Sequence, residues 1–222
     1  MTTTTPRRAA PARRGWLLPA GLIALSLVPV LAGAFRLVEL GGGARLLPDG
    51  GEHHLGTAGP LAAHIVTVSA YAVLGAFQFA PGFRARRRGW HRVAGRLLVL
   101  CGLVGALSAL WLALSGHRAG VGALGAGSRL VFGAAWALFL VLGFAAARRR
   151  DFAGHRDWMI RGYAVGLGAG TQVLTLASWS AFAGEPGRLA EALLMVAGWL
   201  INLLVAERAI RRSRDPHPSE VR

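Results

Sequence analysis

Six apolar stretches of about 20 residues, separated by short arginine-rich connections, leave this chain few ways to fold. They cover residues 16–35, 61–83, 93–115, 129–147, 158–182 and 189–206. A helix rises ~1.5 Å per residue, so ~20 residues cross a hydrocarbon core of ~30 Å. Lipid offers backbone N–H and C=O groups no partners, which restricts spanning segments to helices or closed barrels. Apolar runs of this length indicate helices. The expected fold is therefore all-α, a polytopic membrane bundle of six transmembrane helices. A basic tail at 1–15 precedes the membrane domain at 16–208, and a second basic tail follows at 209–222. Charged residues are 16% of the chain, against about 25% in a soluble domain, and they gather between the apolar runs. The one sizeable connection, 36–60, is glycine-rich and carries the turn signal Pro48-Asp49-Gly50-Gly51. None of the connections is long enough to fold into a soluble domain.

The formal net charge of +15 would suggest nucleic acid in a soluble chain. Here the basic residues follow topology instead. All 25 are arginine, and 20 of them lie in the two tails and around the second and fourth connections. With six crossings those regions share one face. Excess positive charge is retained on the cytoplasmic side, which places both termini there. The expected partner of the basic face is anionic lipid, with no nucleic acid. Arg13-Arg14, the first apolar run and Ala32-Gly33-Ala34 also resemble a cleavable signal sequence. The run is long for such a signal, so the first helix is expected to be retained. Cys101 is the only cysteine; intrachain disulfides and cysteine-based metal motifs are excluded.

An internal repeat supplies the first candidate site. Arg86-Arg87-Arg88-Gly89-Trp90-His91-Arg92 precedes the third apolar run, and Arg148-Arg149-Arg150-Asp151-Phe152-Ala153-Gly154-His155-Arg156 precedes the fifth. Arg96 and Arg161 follow within each run. Six crossings put His91 and His155 on the same face. Neutral imidazole ligates haem iron, so this pair is the expected axial set for a haem b, with Arg96 and Arg161 neutralising propionates. An outer pair, His64 with His117, is a second possibility. The competing reading is interfacial anchoring, since His, Arg and the neighbouring Trp90 and Trp158 suit the headgroup region. An anionic ligand held by the same cationic groups is the third.

A second candidate lies within the spans. His64, Tyr71 and Gln78 recur every seven residues and share one helix face, because seven residues fall within about 20° of two turns. Thr67 and Gly75 flank that face. Gln172 and Thr175 lie on the Arg161 face of the fifth span, beside Thr171. Such groups avoid lipid and turn into the bundle, either to bond other helices or to line a ligand pathway. Cys101, Ser108 and Ser115 on the third span, and Gly162, Gly166 and Gly170 on the fifth, read as packing seams. Asn202 reads as a lone interhelical amide. The glycine run at 166–170 is not a phosphate loop, having no preceding strand and no lysine. No nucleophile triad, paired carboxylate or zinc-binding motif is present, which argues against hydrolase or ATPase chemistry.

The elements His64…Gly75-Ala76-Phe77-Gln78-Phe79, His91-Arg92-Val93-Ala94-Gly95-Arg96 and His155-Arg156-Asp157-Trp158-Met159-Ile160-Arg161-Gly162-Tyr163-Ala164 resemble the bacterial multi-pass membrane proteins grouped as domain of unknown function 2306. The likeness runs from about residue 60 to 165 and extends toward 205. It implies a multi-pass protein of a bacterial inner (plasma) membrane and no particular reaction. A looser resemblance is to membrane cytochromes of the b561 kind, which implies haem held by histidines of successive helices; the fourth span, 129–147, has no histidine, a departure from that pattern. The functional expectation is thus a haem-binding electron-transfer module. The alternatives are a transporter or small-ligand binding protein using the His64 stripe, and a non-catalytic scaffold or accessory subunit.

Overall fold

The computed structural model of the protein describes residues 14–44, 56–80, 87–116 and 122–214. They form seven helices: α1 (Arg14–Leu40), α2 (Ala58–Gln78), α3 (Arg88–Leu114), α4 (Gly122–Arg148), α5 (Phe152–Gly166), α6 (Gly168–Ala183) and α7 (Arg188–Arg214). No strand occurs among the described residues. Five of the helices, α1, α2, α3, α4 and α7, are each long and apolar enough to cross a membrane. The expected fifth span is instead divided between α5 and α6. At 15 and 16 residues these are about 22 and 24 Å long, each shorter than a ~30 Å core. Helix ends also run past the apolar stretches. α3 starts at Arg88 and α4 at Gly122, because backbone hydrogen bonding continues beyond the apolar runs.

The division falls at Gly166-Leu167-Gly168, in a stretch where glycine weakens the helix. Leu167 N–H still donates to Tyr163 O at 3.0 Å, but Gly170 N–H donates to Leu167 O three residues back, also at 3.0 Å. The carbonyl of Ala164 takes a side-chain donor from another helix, Asn202 Nδ2 of α7, at 3.0 Å. Thr171 Oγ1 donates to Asn202 Oδ1 at 2.6 Å and orients the amide. Asn202 therefore makes the interhelical bond expected of it and mends the interrupted ladder, as a polar group in lipid must.

Packing radiates from this broken helix. α5 touches α4, α7 and α2; α6 touches α7 and α1; α3 packs on α2 and α4. The centre is aromatic. Tyr71 of α2 lies 5.3 Å from the Trp136 ring and 5.6 Å from the Tyr163 ring, and Tyr163 Oη donates to Ala72 O at 2.6 Å. Glycines admit these rings: a Cβ on Gly75 would meet Tyr163 at 2.4 Å, and one on Gly166 would meet Tyr71 at 2.7 Å. Outside, Leu97, Leu107 and Trp111 of α3, Val131 and Leu138 of α4 and Leu204 of α7 are exposed, an apolar exterior suited to lipid.

α1 closes the bundle against α2 and α6. It carries Pro19 and Pro29 inside the helix. Proline has no N–H, so Pro29 leaves the carbonyl of Leu25, four residues earlier, without its helical donor. Gly170 of α6 packs against that carbonyl so closely that a Cβ there would lie 2.3 Å from Leu25 O.

Candidate functional site

The His64 stripe divides by depth into groups with different surroundings. His64 Nδ1 lies 3.0 Å from Gly105 O and 3.2 Å from Ser108 Oγ, both on α3. Ser108 Oγ itself donates to Gly105 O at 2.9 Å. A carbonyl oxygen only accepts, so Nδ1 carries the hydrogen and Nε2 of the neutral ring is an acceptor. Nε2 has no hydrogen-bond partner among the described residues. The imidazole lines a cavity of about 130 Å³ between α1, α2 and the α5–α6 break. Ser26, Val30, Ser69 and Gly170 are among the other walls. Ser26 Oγ is committed to Leu22 O at 2.8 Å, whereas the Ser69 hydroxyl makes no hydrogen bond among the described residues.

Tyr71, next along the stripe, belongs to the aromatic core rather than to this cavity. Gln78 ends α2 with both amide atoms buried and unpartnered. Gln172 and Thr175 do not join the stripe. Gln172 Nε2 donates to Met195 O at 3.0 Å and Thr175 Oγ1 to Leu194 O at 3.1 Å, so both bond α7. The helix break places these residues on the α7 side, and the polar pathway expected from His64 through to Thr175 is not continuous. Thr171 likewise turns to Asn202.

The inner-face residues have surroundings of their own. His91 is half-buried at the start of α3, and Arg96 is exposed one turn further on. His155 Nδ1 donates to Gly143 O of α4 at 2.8 Å. α3 and α5 each pack on α2 and on α4. Leu140 fills the interval: it is fully buried and lies against Gly102 of α3 and Gly162 of α5. The haem sandwich expected of His91 and His155 has no support in the packing. His117, the partner expected for His64, lies outside the described residues. No group of three or more His, Cys, Asp or Glu that would hold a metal ion occurs among the described residues.

Arg161 is not part of a cationic pocket with the histidines. Its guanidinium is bidentate on Glu207 of α7, Nε to Oε1 at 2.5 Å and Nη2 to Oε2 at 3.0 Å, and stacks over Trp158 at 4.9 Å. Asp157, 3% exposed, pairs with Arg214 of α7 and with Arg156 at 3.7 Å. Arg156 also donates to Ser213. The segment 155–161 is thus a clasp fastening α5 to α7 and, through His155, to α4. Sequence reasoning weighed its arginines and passed over the acids. The signal available was Asp157, a lone acid four residues before Arg161 in an apolar run, with Glu207 at the end of another.

No curated protein and no solved structure matches the chain. A family profile, "Predicted membrane protein (DUF2306)", matches residues 61–210. That range holds almost all of α2 and every helix from α3 to α6, with most of α7, the Gly105 anchor of His64, the α5–α6 break and the clasp; α1 precedes it. With well over half of its length matched, the chain belongs to the DUF2306 family of predicted membrane proteins.

Proposed function

We propose that this protein crosses a bacterial plasma membrane six times, with both termini cytoplasmic, and binds a small molecule inside the bundle at His64. The six crossings count α5 and α6 together as one. The arginine distribution supports the orientation, and the exposed arginines at the inner helix ends engage the phosphates of anionic lipids. One observation carries the binding function: His64, anchored by Nδ1 to α3, lines a cavity beside a broken helix. Interrupted membrane helices are where bundles accommodate ligands. A scaffold needs neither a cavity nor a free imidazole nitrogen.

The test is native mass spectrometry of protein released from nanodiscs made directly from host membranes. Wild-type protein is expected to carry a small-molecule adduct beyond lipid. Val30→Phe, which fills the cavity from α1, is expected to lose it. A wild-type protein without an adduct, or one whose adduct survives in the variant, counts against the site.

A further inference from the structure

We infer that the clasp between α5 and α7 holds the phosphate of one anionic phospholipid, gripped between the guanidiniums of Arg156 and Arg214. This deepens the lipid engagement proposed above and rests on it, and it is independent of the His64 cavity.

A shared acid brings the two guanidiniums together. Asp157 is buried; Arg156 Nη1 lies 3.7 Å from its Oδ1, and Arg214 Nη2 pairs with its Oδ2. Ser213 Oγ accepts from Arg156 Nη1 and donates to Ile210 O at 2.7 Å, which fixes the Arg156 side chain against α7. One carboxylate thus faces two cations, and a single positive charge is left over at this place. Glu207, the other acid of the clasp, does not supply the balance, because Arg161 holds both its oxygens.

The surplus is open to a ligand. The Arg156 and Arg214 side chains are 45% and 66% exposed, against 4% for Asp157. Each guanidinium has several N–H donors, and the contacts with Asp157 and Ser213 engage one nitrogen of each. The remaining donors keep the fork geometry that phosphate matches. Two oxygens of a phosphate are spaced much like those of a carboxylate, so guanidiniums placed by Asp157 are also spaced for a phosphate beside it.

Depth selects a lipid. Arg156 stands two residues before Trp158, where the apolar stretch begins. That is ~3 Å along the helix axis, within a headgroup layer roughly 5–8 Å thick. The Arg214 guanidinium comes to the same depth through Asp157. A dissolved phosphate has the same chemistry, but only the lipid is held at this level by its acyl chains. The surplus charge then favours a headgroup of net negative charge over a zwitterionic one.

The test is native mass spectrometry of the full chain in detergent, titrated with phosphatidylglycerol and phosphatidylcholine of the same acyl chains. Both carry a phosphate, and only the first is anionic. The first phosphatidylglycerol is expected to bind about tenfold tighter than phosphatidylcholine, the size of effect that a hydrogen-bonded charge supplies. Arg156→Gln and Arg214→Gln are each expected to remove most of that preference. Either leaves Asp157 one cation, so the second serves if the first does not fold. Arg212→Gln is the control. It removes the same charge beside the site, but residues two apart on a helix point ~160° apart, so the preference is expected to remain. An equal loss in Arg212→Gln would overturn the site and leave a general attraction of the arginine-rich face for anionic lipid. Equal binding of the two lipids to the wild type would overturn both. A wild-type adduct with inorganic phosphate that Arg156→Gln loses would then assign the clasp to a dissolved anion instead.

Discussion

Gly170 and Pro29 meet at one carbonyl, and each explains the other. Pro29 strips Leu25 O of its helical donor, and only a residue without a side chain lets α6 come close enough to cover it. A Cβ at position 170 would meet backbone, 2.3 Å from Leu25 O, where no rotamer change gives relief. Gly170→Ala is therefore expected to cost about 1–3 kcal/mol, the range for overpacking, and to loosen α1. Gly95→Ala is the control. Nothing lies within 4 Å of a Cβ there, and the gain in helix propensity makes that change neutral or mildly stabilising. Thermal unfolding in detergent separates the two; equal melting temperatures would mean that α1 does not pack on α6 as described.

At the scale of elements, the clasp between α5 and α7 puts charge at the end of an apolar interface. Arg161 is 20% exposed and Glu207 35%, so neither ion is fully desolvated and the pair gains from its bidentate geometry. Arg161→Met removes both hydrogen bonds and the stacking on Trp158; a loss of about 1–2 kcal/mol is expected from bonds to a charged group that water partly replaces. Glu207→Gln is expected to cost less, and the double variant less than the sum of the two. Additive losses would show that the side chains are not coupled. The same interface shows where sequence legibility ends. Apolar length identified the helices, and the isolated Asn202 was read correctly as an interhelical bond, since an amide in lipid has few other choices. The break at Leu167 was visible only as glycines, which a packing seam also needs. The partners of Asp157 and Arg161 depend on α7 returning beside α5, which local pattern does not encode. The haem pairing of His91 and His155 assumed that helices starting on one face are neighbours; the main contacts of α3 are with α2 and α4. Of the histidines, His64 was placed on an inward-facing stripe from spacing alone, but its Gly105 anchor came from a backbone atom that no motif records.

For the molecule as a whole, the deciding quantity is how often the chain crosses the membrane. Five helices are each long enough, and an odd number of crossings would place the two termini on opposite faces. The count depends on α5 and α6. Joined end to end across Leu167 they would make one crossing, with the turn at Gly184 facing outward; folded back on themselves they would return it to the arginine-rich side. The clasp favours a full crossing. It fixes the start of α5 beside the end of α7, while Thr175, midway along α6, bonds Leu194 near the start of α7. Along α7, Leu194 lies about 20 Å from Glu207 and about 30 Å from Arg214 at the helical rise per residue, so the two attachments are separated by much of a bilayer. Cys101 is the only cysteine, so Cys101→Ser gives a clean background for single cysteines at Gly184 and at Arg150. A membrane-impermeant maleimide is expected to label Gly184→Cys on spheroplasts, and Arg150→Cys only after the membrane is opened. If both positions react only after opening, α5–α6 does not cross, the bundle has five spans, and the His64 cavity sits above a re-entrant hairpin instead of within a continuous broken helix.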